Sequence, residues 1–164
     1  MKIARFLLVL LIGLALASVA MAESVQNEEF GVSLDAPDGW EVGSPDDKAV
    51  ANFKHRGSQS QIQVIATRLM NPEVADTFFS TFHRTLEESN FEERSRRDAS
   101  HGDVSGTEIL YAFTHSGITL EIMVFEFTNE DTAWLVIGYM RDSEEEGHAQ
   151  AFGNVIGSMS FAEN

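Results

Sequence analysis

The histidines are the residues of this sequence best suited to metal or acid–base chemistry, and their spacing gives no site signature. There are five of them: His55, His83, His101, His115 and His148. None stands in an H-x3-H or H-E-x-x-H pair, the spacings that present two ligands to zinc. His101 and Asp103 could form a site with a distant partner, but scattered surface histidines usually bind nothing. We therefore expect no metal site and no cofactor, and keep weak metal binding by carboxylates as an alternative.

Nucleophilic catalysis has no support in the sequence either. The chain has no cysteine, which excludes thiolate nucleophiles and thiolate metal sites. It also lacks the G-x-S-x-G turn of serine hydrolases, a P-loop and a G-x-G-x-x-G motif. Paired carboxylates such as Glu92 and Glu93 occupy adjacent positions, and adjacent side chains on a strand point to opposite faces. We expect no enzymatic activity and no catalytic residue, with an uncharacterised hydrolase as an alternative.

One basic cluster interrupts a chain whose formal net charge is −15. In the run Arg94-Ser95-Arg96-Arg97, strand alternation would put Arg94 and Arg96 on one face and Arg97 on the other. One interpretation is edge protection, because charged side chains on an edge strand prevent strand-to-strand aggregation. The other is a contact for an acidic partner. The candidate partner-binding residues are then Arg94, Arg96, Arg97, His101 and Asp103.

The N-terminal residues have the layout of a secretory signal peptide. Lys2 and Arg5 precede an uncharged apolar run, and Ala20-Met21-Ala22 is a small-x-small cleavage site. The run is short for a membrane span, which needs about 20 residues. We expect residues 1–22 to be cleaved after Ala22, with an uncleaved anchor as the alternative. Export to the periplasm or the medium follows, with no integral membrane domain after cleavage.

The segments before the middle of the chain predict three strands and a helix. Residues 23–29 are polar and are expected to form a loose leader, and residues 30–34 alternate as a half-buried strand does. Residues 36–40, APDGW, then form a turn with Pro37 at its second position and Gly39 freeing the exit. A charged loop follows at residues 41–48. Residues 49–55 and 60–70 predict a hairpin. Asn71 and a following proline predict the start of a helix over residues 72–89.

The rest of the chain predicts a meander and a second helix. Residues 91–98 are charged and indicate an edge strand, whereas residues 118–128 and 132–141 are apolar on both faces and indicate central strands. Residues 104–115 alternate between them. Ser143 and Glu146 form a capping box at the start of the last helix. The order is β-β-β-α-β-β-β-β-α. It predicts an α+β domain over residues 30–164, an α/β/α sandwich with a central antiparallel sheet of six or seven strands and one helix on each face.

A stripe of phenylalanines on the first helix allows two interpretations. Phe78, Phe79 and Phe82 lie on one face with Ala75 and Leu86. Such a stripe is what any helix needs in order to pack on a sheet, and core packing is the favoured interpretation. The alternative is a cavity under this face, which would make the protein a carrier of a small apolar ligand.

The leading F-G-V-S-L strand, the A-P-D-G-W turn and this order of elements resemble the Mog/PsbP-like superfamily. The resemblance covers residues 30–161, and its local signature is Pro37, Gly39 and Trp40. Members are mostly non-enzymatic binding or assembly factors, and no catalytic residues can be carried over. The resemblance implies an exported PsbP-like protein, a monomer that binds another envelope protein and acts in its assembly or stability. The acidic charge repels nucleic acid, which we exclude as a partner.

Overall fold

The computed structural model describes residues 23–44, 49–141 and 145–162. The predicted signal peptide, residues 45–48 of the predicted loop, and Ser143 lie outside these residues. The side chain of Glu146 is also outside the description, so the predicted capping box stays a prediction. Within the described ranges, no helix is long and apolar enough to cross a membrane.

The described chain forms ten strands and two α-helices. The strands are β1 (Ser24–Asn27), β2 (Val32–Asp35), β3 (Trp40–Val42), β4 (Ala49–His55), β5 (Gln61–Arg68), β6 (Glu92–His101), β7 (Val104–His115), β8 (Ile118–Asn129), β9 (Thr132–Arg141) and β10 (Ser160–Phe161). The helices are α1 (Ala75–Glu88) and α2 (Glu145–Gly157). A 3-10 turn, Pro72–Val74, precedes α1, and the Asn71 side chain accepts the Glu73 N–H at 3.0 Å. The predicted cap is therefore present, but it opens the 3-10 turn.

The strands form two sheets. Seven of them make an antiparallel sheet in the order β3-β4-β5-β9-β8-β7-β6, which confirms the predicted hairpin and meander. β6 lies at the edge, as predicted, and pairs with β7 out to His101 opposite Val104. The other three strands, β1, β2 and β10, form a separate small sheet.

The small sheet changes the predicted role of the N-terminal segments. The predicted first strand forms over Val32–Asp35, and it lies in the small sheet rather than the central one. The segment expected to be a loose leader contains β1, whose Ser24 pairs with Asp35 and whose Asn27 pairs with Val32. Backbone pairing fixes β1, so it needs little side-chain burial. The seventh strand of the central sheet is instead the three-residue β3, which begins at Trp40.

One helix covers each face of the central sheet, which confirms the predicted sandwich. Alternation along β9 sends Trp134 and Val136 into the core under α2, together with Phe152 and Ile156 of that helix. The intervening Leu135 and Ile137 face α1 and its Leu86. The predicted double-sided apolar character of β9 is thus explained by cover on both sides.

The APDGW stretch delivers Trp40 into the core under α2. The Trp40 N–H donates to the Pro37 carbonyl at 3.0 Å, so Pro37 occupies the first turn position rather than the predicted second. Gly39 has φ +83°, the left-handed conformation that the third position of a type II turn requires. The Trp40 ring is 4% exposed and lies against His55 and His148, with ring centroids 5.3 and 5.4 Å away. The motif is a structural element of the fold.

Candidate functional site

The predicted partner-binding residues lie on or beside β6, but the sheet separates them. A β-bulge between Glu93 and Ser95 takes Arg94 out of register with β7. Arg94 is exposed and forms an ion pair with Glu92, with 3.1 Å between Nη2 and Oε2. Asp103 is exposed in the turn between β6 and β7. Within the described residues, neither Arg94 nor Asp103 forms an ion pair with another member of the predicted set.

Arg97 and His101 share one carboxylate on the α2 side of the sheet. Arg97 Nε donates to Glu108 Oε1 at 3.0 Å, and His101 Nε2 lies 3.1 Å from Glu108 Oε2. Glu108 is 8% exposed, and these two partners contact both of its carboxylate oxygens. The His101 ring packs edge-on against Phe125. Arg97 pairs with this buried carboxylate although its own side chain is 71% exposed, so its charge is balanced within the chain while it still faces solvent.

Arg96 lies on the opposite, α1 side and joins a closed ring of five polar side chains. Arg96 Nη2 donates to Glu93 at 2.9 Å and its Nη1 donates to Glu126 at 3.2 Å. Glu126 lies 2.7 Å from His83 Nε2, and His83 Nδ1 lies 3.0 Å from the Tyr111 hydroxyl. The Tyr111 hydroxyl is in turn 3.4 Å from Glu93, which closes the ring.

The ring shifts the ionisation of its members in the directions that its contacts predict. The hydrogen bond from Arg96 lowers the pKa of Glu93, and the reciprocal bond raises the pKa of Arg96. Burial raises the pKa of Tyr111 to about 12, and the negative charge of Glu93 acts in the same direction. The ring therefore keeps Glu93 and Arg96 charged and Tyr111 neutral at neutral pH.

The contacts of the ring allow its protons to be arranged in more than one way. The Tyr111 hydroxyl has one proton, and it can donate to either His83 Nδ1 or Glu93. When neutral His83 donates its Nε2 proton to Glu126, Nδ1 accepts from Tyr111. When His83 carries both protons, Tyr111 donates to Glu93 instead. Tyr111 is 0% exposed, so this hydroxyl cannot reach a substrate as a nucleophile.

An apolar groove beside α1 is the other feature that sequence reasoning left open. Its volume is about 800 Å³. One wall is a single stripe of the helix and its preceding turn, and the other wall is β5 with the residues that follow it. The helical stripe consists of Val74, Thr77, Phe78, Thr81 and Phe82. All three phenylalanines pack against the core, as the favoured interpretation has it, and Phe78 and Phe82 also line the groove that the alternative requires. Phe79 lies outside the groove.

One end of the groove is polar. Arg68 lies there with its guanidinium 5.6 Å from the centre of the Phe30 ring, and its Nη2 donates to the Glu29 carbonyl at 2.7 Å. Its Nη1 is 3.4 Å from Asp131, which balances its charge. Glu28 and Glu29 are exposed beside Arg68 and form no ion pair within the described residues.

No arrangement of three or more histidine, aspartate or glutamate side chains suited to a metal ion occurs in the described part of the chain. The five histidines fall into four places. His83 and His101 belong to the two carboxylate networks above, and His55 and His148 pack on Trp40 and on each other, with their ring centroids 4.8 Å apart. His115 stacks on Phe113 at a hairpin end.

Comparison with known proteins identifies the fold. No family model and no curated protein matches the sequence. Among solved structures, the cyanobacterial PsbP protein (CyanoP) of Synechocystis sp. PCC 6803 is 11% identical, with a TM-score of 0.61 over 90% of this chain and 98% of its own. The Saccharomyces cerevisiae Ran-binding protein Mog1p is 11% identical, with a TM-score of 0.58 over 85% of this chain and 95% of its own. The fold is Mog/PsbP-like.

Other similar structures extend this fold to bacterial proteins. LpqN of Mycobacterium tuberculosis, described as involved in cell envelope biogenesis, is 12% identical with a TM-score of 0.57, over 87% of this chain and 86% of its own. A Bacteroides thetaiotaomicron structure is 11% identical with a TM-score of 0.62, and this chain, matched over 87% of its length, spans 49% of that one. The resemblance seen in the sequence is confirmed for the Mog/PsbP-like fold.

Proposed function

We propose that this chain is an exported, non-enzymatic accessory protein that binds another protein of the cell envelope and assists its assembly or stability. Export is supported by the layout of residues 1–22. A binding role is supported by the names of the similar structures, a Ran-binding protein and an envelope biogenesis protein among them. Fold similarity alone is a weak argument for function, so the proposal depends on the surface of this chain.

The apolar groove is the observation that carries the proposal. Large apolar side chains are exposed at four described positions, and two of them, Met70 at 102% and Val74 at 41%, lie at the groove. Exposed apolar surface rimmed by polar residues is typical of an interaction site. We infer that the occupant is an apolar segment of the partner protein, packed between α1 and β5. The β6 edge is a less suitable contact surface than the groove, because its arginines already bind carboxylates of this chain and are less available to an acidic partner.

Photo-crosslinking tests this proposal. A photoreactive residue at Met70 should give one defined adduct in the native cells, and the purified adduct partner should bind the wild-type chain. Val74→Asp should weaken that binding at least about tenfold, because it places a charge in an apolar contact. Ile118→Asp is the matched control, since Ile118 is also exposed (56%) and lies outside the groove. If Arg96→Glu or Arg97→Glu weakens binding and Val74→Asp does not, the contact surface is the β6 edge.

A second candidate function is transport of a small apolar ligand. The groove volume of about 800 Å³ falls within the range of small-molecule sites, roughly 300–1,000 Å³. Native mass spectrometry distinguishes the two functions. A co-purified small molecule that Val74→Asp removes would favour the carrier.

A further inference from the structure

We propose that the segment bound in the groove is an apolar stretch of the partner flanked by lysine or arginine. This inference rests on the proposed function and specifies the chemistry of the occupant. It is argued from the length of the apolar wall, from the charges around it, and from the state of its one cation.

The walls set the kind of segment that fits. The helical stripe from Val74 to Phe82 spans about 12 Å, at 1.5 Å per residue. That length matches two turns of a partner helix or about four residues of an extended segment. Phe78, Phe82, Ile65 and Leu135 provide apolar contacts along it. An apolar core of a few residues is therefore enough to fill the groove.

The charges at its polar end favour a basic flank. Glu29 lines this end beside Arg68, Glu28 lines the adjoining hollow that shares Arg68, and both residues are exposed. Among the described residues that line the groove, Arg68 is the only basic one, and Asp131 already balances it. The whole chain, at −15, adds a long-range field of the same sign. Positive residues beside the apolar core would meet the carboxylates of Glu28 and Glu29, and negative residues would be repelled.

Two fluorescein-labelled synthetic peptides test the inference. They share one Leu/Phe/Ala core and differ only in their flanks, lysines in one and glutamates in the other. The lysine-flanked peptide should bind the wild-type chain at least about tenfold more tightly in fluorescence anisotropy. High salt should reduce this preference, because the Debye length falls to about 3 Å at 1 M.

Variants assign the effect to the groove. The double change Glu28→Gln with Glu29→Gln should weaken the lysine-flanked peptide about threefold to fivefold. Glu87→Gln is the control, because Glu87 is exposed on α1 away from the groove. Val74→Asp should remove apolar packing for both peptides, and Ile118→Asp should affect neither.

Three outcomes would overturn the inference. Equal affinity of the two peptides would show that the flanks are not recognised. Tighter binding of the glutamate-flanked peptide would show an acidic partner. Dodecyltrimethylammonium is a small cationic amphiphile. If it displaces the peptide below its critical micelle concentration and binds with higher affinity than the peptide, the occupant of the groove is a small amphiphile. If the Met70 adduct still forms in cells and depends on Val74, the proposed function survives any of these outcomes. If it does not, the proposed function fails with it.

Discussion

The two faces of the central sheet are closed to different degrees. Under α2, helix residues such as Phe152, Val155 and Ile156 are 0% exposed and pack on a continuous apolar core. Under α1, Phe78, Phe79 and Phe82 are only partly buried. The polar ring and the open groove lie on this side, whereas on the α2 side the Glu108 network lies beside the apolar core.

This difference indicates a division of labour within the fold. The α2 face supplies most of the apolar burial that stabilises the domain. The α1 face has less of that burial, and the contacts of His83 with Glu126 and Tyr111 help to fix the position of the helix. A surface that is incompletely packed but well positioned is suited to binding. The predictions below measure how unequal the two faces are.

The largest effect is expected from truncating matched phenylalanines on the two helices. Phe152→Ala should lower the free energy of unfolding by about 3–5 kcal/mol, because Phe152 is fully buried and leaves a cavity. Phe78→Ala should lower it by about 1 kcal/mol, since its ring is partly exposed at the groove. Urea denaturation followed by circular dichroism measures both. Both changes are Phe→Ala within a helix, so helix propensity cancels. Equal losses would contradict the proposed inequality of the faces.

The face of the central sheet under α2, which is closely packed, was easier to predict from the sequence than the face under α1. Strong alternation and double-sided apolar runs in β7, β8 and β9 predicted the central strands and their order. The small sheet was missed because β1 and β10 are short and depend on backbone pairing with β2, which leaves no periodic signal. β3 was missed because it has three residues beside a turn.

The features of the face under α1, which are the polar ring and the groove, could not be deduced from the spacing of residues in the sequence. The ring joins Glu93 and Arg96 to His83, Tyr111 and Glu126, residues on four elements that come together only through strand register and helix position. The phenylalanine stripe predicted a helix face correctly, but the same stripe serves a core or a groove. The arginine cluster was visible, whereas its carboxylate partners Glu108 and Glu126 lie on neighbouring strands.

A smaller effect is expected from the ring on the open face. Tyr111→Phe should cost about 1–2 kcal/mol, because His83 and Glu93 lose a hydrogen-bonding partner. The pKa of Tyr111 is raised from 10.0 to about 12, so the neutral form is favoured in the folded state. Its contribution to stability is therefore complete below pH 10 and is lost as the pH rises through about 12. An ultraviolet titration should show a tyrosine that ionises near pH 12 and is absent from Tyr111→Phe. Ionisation near pH 10 would mean that the ring does not protect the hydroxyl.

The smallest effects are expected at the charged edge, where the two faces meet at β6. Arg94→Ala should change the free energy of unfolding by less than about 0.5 kcal/mol, because its pair with Glu92 is exposed on both sides. Arg97→Ala should lower the free energy of unfolding by about 1 kcal/mol, since it removes one of the two side chains, Arg97 and His101, that contact the buried Glu108 carboxylate. Thermal melts of the two variants at low and high salt provide the comparison. A larger loss for Arg94→Ala would mean that the bulge, rather than the buried carboxylate, stabilises this edge. The expected order, a larger loss for Arg97→Ala, would show that the contact with the buried Glu108 carboxylate stabilises this edge more than the exposed pair of Arg94 with Glu92 does.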